Sequence, residues 1–543
     1  MLSGGFTHRQ IMTILAGLLL GMFLAALDQT IVSTSIRTIG DDLHGLSAQA
    51  WVTTSFLITS TLTTPIYGKL SDIFGRKPLF LTAISIFVVG SALCGLSTSM
   101  YMLAGFRAFQ GLGAGGLFSV ALAILADILS PQERSRYMGY TMSTFASASV
   151  LGPVVGGILS GQAMILGIPG WRWIFYVNVP IGVLALIVVN RVLKLPSKHS
   201  QARVDWPGAL VLAAGLIPLL IVAEQGRIWG WGSAASIACF IGGVVGLIAF
   251  VAVEYRMGES ALLPIRLFHN ITFRLGAAQS SVIGVGMFGG LSAIPLYLQI
   301  VKGASPMRAG FLLLPMVAGM MITSVVVGRI TARTGHYRKF PIIGCTLLIL
   351  AMALLTTTTA DAPLWRTDIF MALFGIGLGM NMQTIQLAMQ NSVEPGDIGV
   401  ASSSGTFFRQ VGGTLGAAVF LSILFSAAPA KIASAFTSAR TTPAFQQAAA
   451  AHPDQLRALT SASGSLNDTA FLSSINPVLA HPFLVGFSNA MDLVFIVAGI
   501  AIIPALIFAL ITREVPLRRV SGIEAIRLAA EDVSRPHTDE PAA

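Results

Sequence analysis

The chain has 543 residues, of which 54% are hydrophobic and 10% charged, with a mean hydropathy of +0.78 and a formal net charge of +10. A water-soluble protein cannot bury so much apolar surface, and a disordered chain would be far more polar. The composition indicates a multi-pass membrane protein, and loops that face anionic lipid explain its positive charge without a nucleic-acid partner.

Apolar runs of about 20 residues are long enough to cross about 30 Å of hydrocarbon as a helix. Fourteen such runs follow one another in this sequence, which predicts an all-α membrane protein with 14 transmembrane helices. The predicted helices lie near residues 12–35, 49–69, 78–97, 101–127, 137–161, 171–192, 207–224, 233–253, 273–300, 307–330, 340–360, 367–390, 398–427 and 487–511.

The first apolar run contains Asp28, inside the stretch from Ile11 to Ile36. A carboxylate at the centre of a bilayer costs about 2.5–3.5 kcal/mol on insertion scales, so such residues usually have a function. Arg107, in predicted helix 4, is expected at a similar depth, roughly 10 Å below the outer surface. We interpret Asp28 and Arg107 as a proton-coupling pair, and the alternative is a static pair that holds helices 1 and 4 together.

An internal repeat relates the two ends of the chain. The segment from Gly68 to Gly75 matches the segment from Gly328 to Gly335 at an offset of about 260 residues. The same offset pairs glycines of predicted helices 5 and 13, Gly152 with Gly412 and Gly156 with Gly416. Two related halves are typical of secondary transporters, in which one half rocks against the other.

These features predict two pseudo-repeat halves of six helices with two inserted helices between them. The expected units are the N-terminal half at 1–195, the inserted pair at 196–258, the C-terminal half at 259–515 with a long outer loop at 428–486, and a cytoplasmic tail at 516–543. Most of the 33 Lys and Arg residues lie on the side of the N-terminus, which predicts that both termini are cytoplasmic. We expect the outer loop to be a tolerated insertion, and the alternatives are short amphipathic helices on the membrane surface, a cover for the outer mouth, or a contact for an envelope partner.

The motifs resemble the major facilitator superfamily and, within it, the fourteen-helix drug:proton antiporters. The resemblance rests on the order of Leu27-Asp28-Gln29-Thr30-Ile31-Val32, Gly68 through Pro78, Arg107 with Gln110, Gly111 and Gly113, Gly152-Pro153 with Gly156-Gly157, Trp171-Arg172-Trp173 with Asn178, Asp205-Trp206-Pro207-Gly208, and Phe408-Arg409-Gln410. The match covers approximately residues 10 to 515 and implies the major-facilitator fold.

The resemblance also implies roles for several residues. A conformational gate is expected at Gly68, Asp72, Gly75 and Arg76, and an antiporter motif with a close-packed face at Gly152, Pro153, Gly156 and Gly157. Ordinary packing of small residues is the alternative for the glycines. A possible substrate cavity includes Gln29, Thr54, Gln110, Asn178 and Arg409.

The resulting interpretation is a bacterial cytoplasmic-membrane exporter that exchanges protons for amphipathic drugs or antibiotics and is not an enzyme. Export of a dedicated endogenous metabolite or lipid, proton-coupled uptake, and a non-transporting scaffold remain alternatives. No phosphate loop indicates ATP, and Cys94, Cys239 and Cys345 have no metal-ligand spacing, so we expect no cofactor and no metal. A monomer in the bilayer is expected.

Overall fold

The computed structural model describes residues 7–44, 49–193, 204–462 and 475–518. This part of the chain is helical apart from a two-stranded antiparallel hairpin, β1 (Met164–Ile165) with β2 (Ile168–Pro169). The N-terminal helices are α1 (His8–Asp42), α2 (Gln49–Phe74), α3 (Arg76–Gly95), α4 (Met100–Ile128), α5 (Pro131–Ser160), α6 (Trp173–Tyr176) and α7 (Asn178–Val192).

The inserted pair and the C-terminal half follow in the same order as predicted. Their helices are α8 (Trp206–Trp229), α9 (Ala234–Met257), α10 (Ile265–His269), α11 (Ile271–Leu296), α12 (Pro306–Leu312), α13 (Leu314–Thr334), α14 (Lys339–Leu355), α15 (Leu364–Asn391), α16 (Ile398–Ala439), α17 (Pro443–Ala451), α18 (Pro453–Ala462) and α19 (Pro477–Ile511).

Among the described residues, twelve helical stretches are long and apolar enough to cross a membrane. The two remaining predicted spans fall on α2 and α14. In α2, eight Ser and Thr residues between positions 53 and 64 lower the hydropathy, and α14 has only 17 residues. The fold class is therefore confirmed as a helical membrane bundle within the range of 12 to 14 spans.

Each half has its own apolar core. Helices α1 to α7 pack around Phe80, Phe87 and Phe175, whereas α11 to α19 pack around Phe374, Phe420 and Phe487. The halves meet along two seams, α5 against α12 and α13, and α2 with α4 against α16. The inserted helices α8 and α9 pack on each other, and α8 also contacts α2 and α16.

Both ends of the described chain lie on one face of the bundle, which we call the terminal face. Near the start of α5, His8 Nδ1 lies 2.8 Å from the Tyr137 hydroxyl oxygen. On the same face, Gln132 Nε2 donates to the carbonyl oxygen of Ala332 over 2.7 Å. The nearby Tyr337 backbone N–H donates to the Glu514 carboxylate over 2.6 Å, which fixes the end of α19 there.

The repeated segment ends in a glycine with positive φ in both halves. Gly75 has φ +94° directly before α3, and Gly335, at the repeat offset, has φ +73° directly after α13. Side chains disfavour this backbone region, so a glycine is required at each position. The two turns differ in ψ, which is 152° at Gly75 and −3° at Gly335, so the repeat preserves the glycine but not the turn geometry.

The opposite face carries a helical projection where the sequence predicted a long loop. Helix α16 continues to Ala439 and is about 63 Å long at 1.5 Å per residue, about twice the hydrocarbon thickness. It continues because Ala428, Ile432 and Phe436 form a buried stripe at a spacing of four residues, packed on the extended start of α19 and on α17. Residues 463–474 of the predicted loop, 196–203 of the predicted inserted unit and 519–543 of the predicted tail lie outside the described residues.

Candidate functional site

A buried polar cluster surrounds Asp28 inside the N-terminal half. Arg107 Nη1 forms an ion pair and hydrogen bond with Asp28 Oδ2. Gln110 Nε2 and Asn178 Nδ2 donate to the other oxygen, Oδ1, over 2.9 and 2.8 Å. All four side chains are at most 1% exposed. Helices α1, α4 and α7 therefore each contribute to one closed site.

The local sequence explains how α4 supplies two of these groups. Arg107 and Gln110 are three residues apart, which places them on one face of a helix, and Arg107 Nη1 donates to Gln110 Oε1 over 2.7 Å. Helix α2 holds the guanidinium from the other side, because Arg107 Nε donates to the Val52 carbonyl oxygen over 3.4 Å and the Phe56 ring centroid lies 4.0 Å from Cζ. The cation is thus oriented by two helices.

Asn178 is itself held in place by hydrogen bonds to other residues. Its Nδ2 also lies 3.0 Å from Ser91 Oγ, and that hydroxyl donates to the carbonyl oxygen of Phe175 over 3.0 Å. Sequence reasoning did not identify Ser91, Val52 or Phe56, because nothing in their spacing distinguishes them from packing residues. Since a buried charge is tolerated only when it is paired and hydrogen-bonded, the ion pair and the two amide donors explain how the apolar half can hold Asp28.

The structure distributes the five predicted cavity residues differently from expectation. Gln110 and Asn178 hold Asp28 in the interior, so they do not line an open cavity in this conformation. Thr54 is also buried, and its hydroxyl has no hydrogen-bond partner among the described residues. Gln29 and Arg409 are half-buried. Only these last two are accessible enough to contact a substrate here.

Arg409 lies in α16, one of the two helices of the α2–α16 seam. Its guanidinium forms no ion pair or hydrogen bond with another side chain in the part of the chain that the structure describes. The next residue, Gln410, accepts a hydrogen bond from Thr64 of α2 over 3.2 Å. Arg409 is therefore a cation close to the boundary between the halves.

The predicted gate residues lie at the terminal end of α2. Arg76 pairs with Asp72 over 2.5 Å and with Asp127 of α4 over 2.7 Å. A Cβ added to Gly399, in the first turn of α16, would collide with the Asp72 carboxylate, which shows how closely the two halves approach. The position is electrostatically favourable, because helix N-termini attract anions.

Gly68 lies one helical turn before Asp72 and allows α2 to pack closely on α16. A Cβ at this position would collide with the side chain of Ser403 and lie 3.1 Å from the Gly399 carbonyl oxygen. Gly75 does not contact α16 and instead supplies the positive φ described above. The structure is therefore closed between α2 and α16 at the terminal face.

The predicted close-packed face of α5 includes only part of its motif. Cβ atoms on Gly152 and Gly156 would collide with Thr30 and Thr34 of α1, the second at 2.5 Å. Gly157, in contrast, is exposed, and nothing lies within 4 Å of the position that its Cβ would take. Pro153 lies against α12, 3.2 Å from the Cβ position of Gly310. Gly157 thus takes no part in the close packing of α5 in this conformation, and its place in the motif stays a prediction.

Metal ligands are not clustered in the described residues: no group of three or more His, Cys, Asp or Glu side chains is placed to hold an ion. Cys94 and Cys345 are buried and Cys239 is partly exposed, and all three are free thiols.

Comparison with known proteins gives a consistent result. The family model described as Major Facilitator Superfamily matches residues 18–417. Multidrug resistance protein 3 of Bacillus subtilis is 36% identical over 427 residues, which are 78% of this chain and 81% of that protein. The multidrug transporter protein MdtP of the same organism is 34% identical over 404 residues, covering 74% and 73% of the two chains.

A longer match and a solved structure extend the comparison. An uncharacterized MFS-type transporter of Mycobacterium tuberculosis is 34% identical over 506 residues, covering 93% of this chain and 70% of that protein. The proton:xylose symporter XylE has a similar fold, with a TM-score of 0.60 at 15% identity, covering 96% of this chain and all of the other. At that identity the structural likeness concerns the fold alone.

Proposed function

The chain belongs to the major facilitator superfamily, and from that premise we propose that it exports amphipathic drugs or antibiotics in exchange for protons. Two relatives with at least 34% identity are named as multidrug proteins, which supports this substrate class. We further propose that the protein resides in a bacterial cytoplasmic membrane with its terminal face in the cytoplasm, because that face carries most of the basic loops.

The observation that carries the proposal is the buried Asp28 cluster. Protonation of Asp28 would remove its charge and leave the Arg107 guanidinium without its anion. A buried ion pair that loses one charge is destabilised by about 3–5 kcal/mol, which is enough to change the preferred arrangement of the surrounding helices. Proton binding at Asp28 therefore has the energetic size needed to drive a conformational change.

Two packing routes connect this cluster to the boundary between the halves. Arg107 contacts α2, and α2 forms the seam with α16 through Thr64 and Gln410. Asp28 is two residues from Thr30, whose hydroxyl donates to the Ala148 carbonyl oxygen of α5 over 3.0 Å, and α5 forms the seam with α13. We propose that both seams respond to the charge on Asp28.

The half-buried Arg409 affects which charge a transported compound can carry. No acidic side chain pairs with it in the described part of the chain, so a cation with two or more charges would meet net repulsion at this position. We propose that transported compounds are neutral or singly charged. Affinity for lipophilic dications equal to that for neutral compounds would contradict this proposal.

The test uses inverted membrane vesicles with an acidic lumen and a lumenal pH-sensitive dye. Addition of a substrate should release lumenal protons with the wild type but not with Asp28→Asn. The matched control is Asp41→Asn, which removes an exposed carboxylate from the same helix and should behave as the wild type. The panel should contain neutral antibiotics, lipophilic monocations and dications.

A second assay separates coupling from folding. Asp28→Asn leaves Arg107 unpaired, so Asp28→Asn combined with Arg107→Gln should be tested alongside it. If Asp28 couples protons, folded variants will lose proton-driven transport but keep substrate counterflow, which needs no gradient. Loss of both activities in folded protein would indicate a static structural pair. Proton-driven transport at the wild-type rate would exclude the coupling role.

A further inference from the structure

The inserted helices carry two buried carboxyl groups that face each other. Asp205 caps the N-terminus of α8 and is 0% exposed, and Glu254 lies in the last turn of α9 and is 2% exposed. One oxygen of each accepts a backbone N–H: Gly208 N donates to Asp205 Oδ1 over 2.7 Å, and Leu263 N donates to Glu254 Oε2 over 2.8 Å.

The other two oxygens, Asp205 Oδ2 and Glu254 Oε1, have no hydrogen-bond donor in the described residues. Both lie beside Gly208. A Cβ on this glycine would collide with Asp205 Oδ2 and lie 2.8 Å from Glu254 Oε1, so the two oxygens face the same small space beside Gly208. Two ionised carboxylates cannot share such a buried site without a large energetic cost.

The neighbouring charged groups do not neutralise this pair. Lys69 donates to the Glu259 carbonyl oxygen over 2.7 Å, and Arg266 pairs with Asp397 over 2.8 Å. Near the same end of α8 and α9 lie Tyr67 and Asp72 of α2, of which Asp72 pairs with Arg76, and the exposed side chains of Tyr255, Arg256 and Glu259. Glu224 lies towards the other end of α8, and Arg409 and Lys431 lie further along α16. None of these groups forms an ion pair with Asp205 or Glu254 among the described residues.

We propose that Asp205 and Glu254 share one proton, and that they form a second proton-binding site separate from Asp28. The proton resides on Glu254, because the C-terminal end of α9 disfavours an anion, whereas the N-terminus of α8 stabilises the Asp205 carboxylate. The resulting bond runs from the Glu254 carboxyl O–H to Asp205 Oδ2. This site would bind its proton whatever compound the protein transports.

This site connects the inserted helices to the terminal face. The turn after α9 is held by Lys69, which belongs to the repeated segment at the end of α2. Loss of the shared proton would place two like charges at the contact between α8 and α9 and weaken it. We therefore expect attachment of the inserted pair to depend on the pH at the terminal face.

Infrared spectroscopy tests the shared proton directly. Protonated carboxyl groups have a C=O stretching band that ionised carboxylates lack, so the difference spectrum of wild type minus Glu254→Gln at neutral pH should contain it. Gln preserves the geometry, since its amide can donate to Asp205 Oδ2 while its carbonyl oxygen accepts from Leu263. Asp205→Asn should also abolish the band, because its amide donor would leave Glu254 ionised. Glu259→Gln, which removes an exposed acid nearby, should retain it.

Thermal unfolding provides the second readout. The folded wild type binds one proton that the unfolded chain releases at neutral pH, so its stability must fall as pH rises. The midpoint of the wild type should therefore decrease more steeply than that of Glu254→Gln as pH rises above about 4.3, the ordinary pKa of an unfolded Glu, until the folded pair has also lost its proton. Equal slopes and no carboxyl band would overturn the proposal. A midpoint that rises with Na⁺ or K⁺ concentration, without the band, would show that the pair holds a metal cation instead.

Discussion

Asn178 joins the buried carboxylate of α1 to two other helices, because its amide reaches both Asp28 and Ser91. Its importance comes from the charge of the acceptor. A hydrogen bond to a charged group contributes about 1.5–3 kcal/mol, roughly twice a neutral one, and no water is available to replace it at 0% exposure. Asp28 therefore depends on a residue from the last helix of its half.

We predict that Asn178→Ala lowers the free energy of unfolding by about 1.5–3 kcal/mol, since Asp28 loses one donor and Ser91 loses a partner. Denaturant unfolding in mixed micelles would measure the change. Asn190→Ala is the matched control, because Asn190 is exposed on the same helix. Equal stability of the two variants would show that the Asn178 contact contributes little.

At the scale of elements, close helix contacts depend on particular glycines. The α1–α5 contact needs Gly156, where a Cβ would meet Thr34 Oγ1 at 2.5 Å and the Ile31 carbonyl oxygen at 3.1 Å. The adjacent Gly157 has open space around it. The sequence motif contains both glycines and therefore does not show which of them contacts α1. The two differ only in the side of α5 on which they lie.

Gly156→Val should separate α1 from α5 and strongly reduce transport, whereas Gly157→Val should be tolerated. Overpacking of a well-packed contact costs about 1–3 kcal/mol, and no such cost arises where no neighbour is present. Vesicle transport and thermal midpoints of the two valine variants test this difference. Similar losses in both would mean that Gly157 has a role in another conformation.

At the scale of the whole molecule, the two halves are in contact at the terminal face through both seams. A Cβ on Gly139 would lie 3.3 Å from Val325 Cβ, close to the separation of about 3.5–4.5 Å found in disulfides. If export requires the halves to separate there, a covalent link across α5 and α13 must arrest the cycle.

We predict that Gly139→Cys combined with Val325→Cys forms a disulfide on oxidation and loses substrate transport, and that reduction restores it. Each single variant serves as the control for side-chain bulk and for reaction with the native thiols. Mass spectrometry of peptides reports the bond, and vesicle transport reports its effect. Full transport by the oxidised, cross-linked protein would exclude opening along this seam.

The fold was largely predictable from the sequence because span length and hydropathy depend on composition along the chain. Helix α16 shows the limit of this approach. Its predicted end at residue 427 marks the end of the apolar run, but the helix continues to Ala439 because Ile432 and Phe436 are buried by α17 and α19. Hydropathy measures affinity for lipid, whereas this segment is stabilised by neighbouring protein.

The sequence by itself determined that this is a two-half helical membrane protein with a carboxylate and a guanidinium at matching depth, since depth follows from residue count along a helix. The tertiary structure alone decided which groups surround Asp28. Asn178 comes from a helix 150 residues away, and the facing of Asp205 and Glu254 likewise depends on how α8 and α9 pack. The reason is physical: the chain encodes position along each helix axis, but rotation about that axis and choice of neighbour are set by packing between helices.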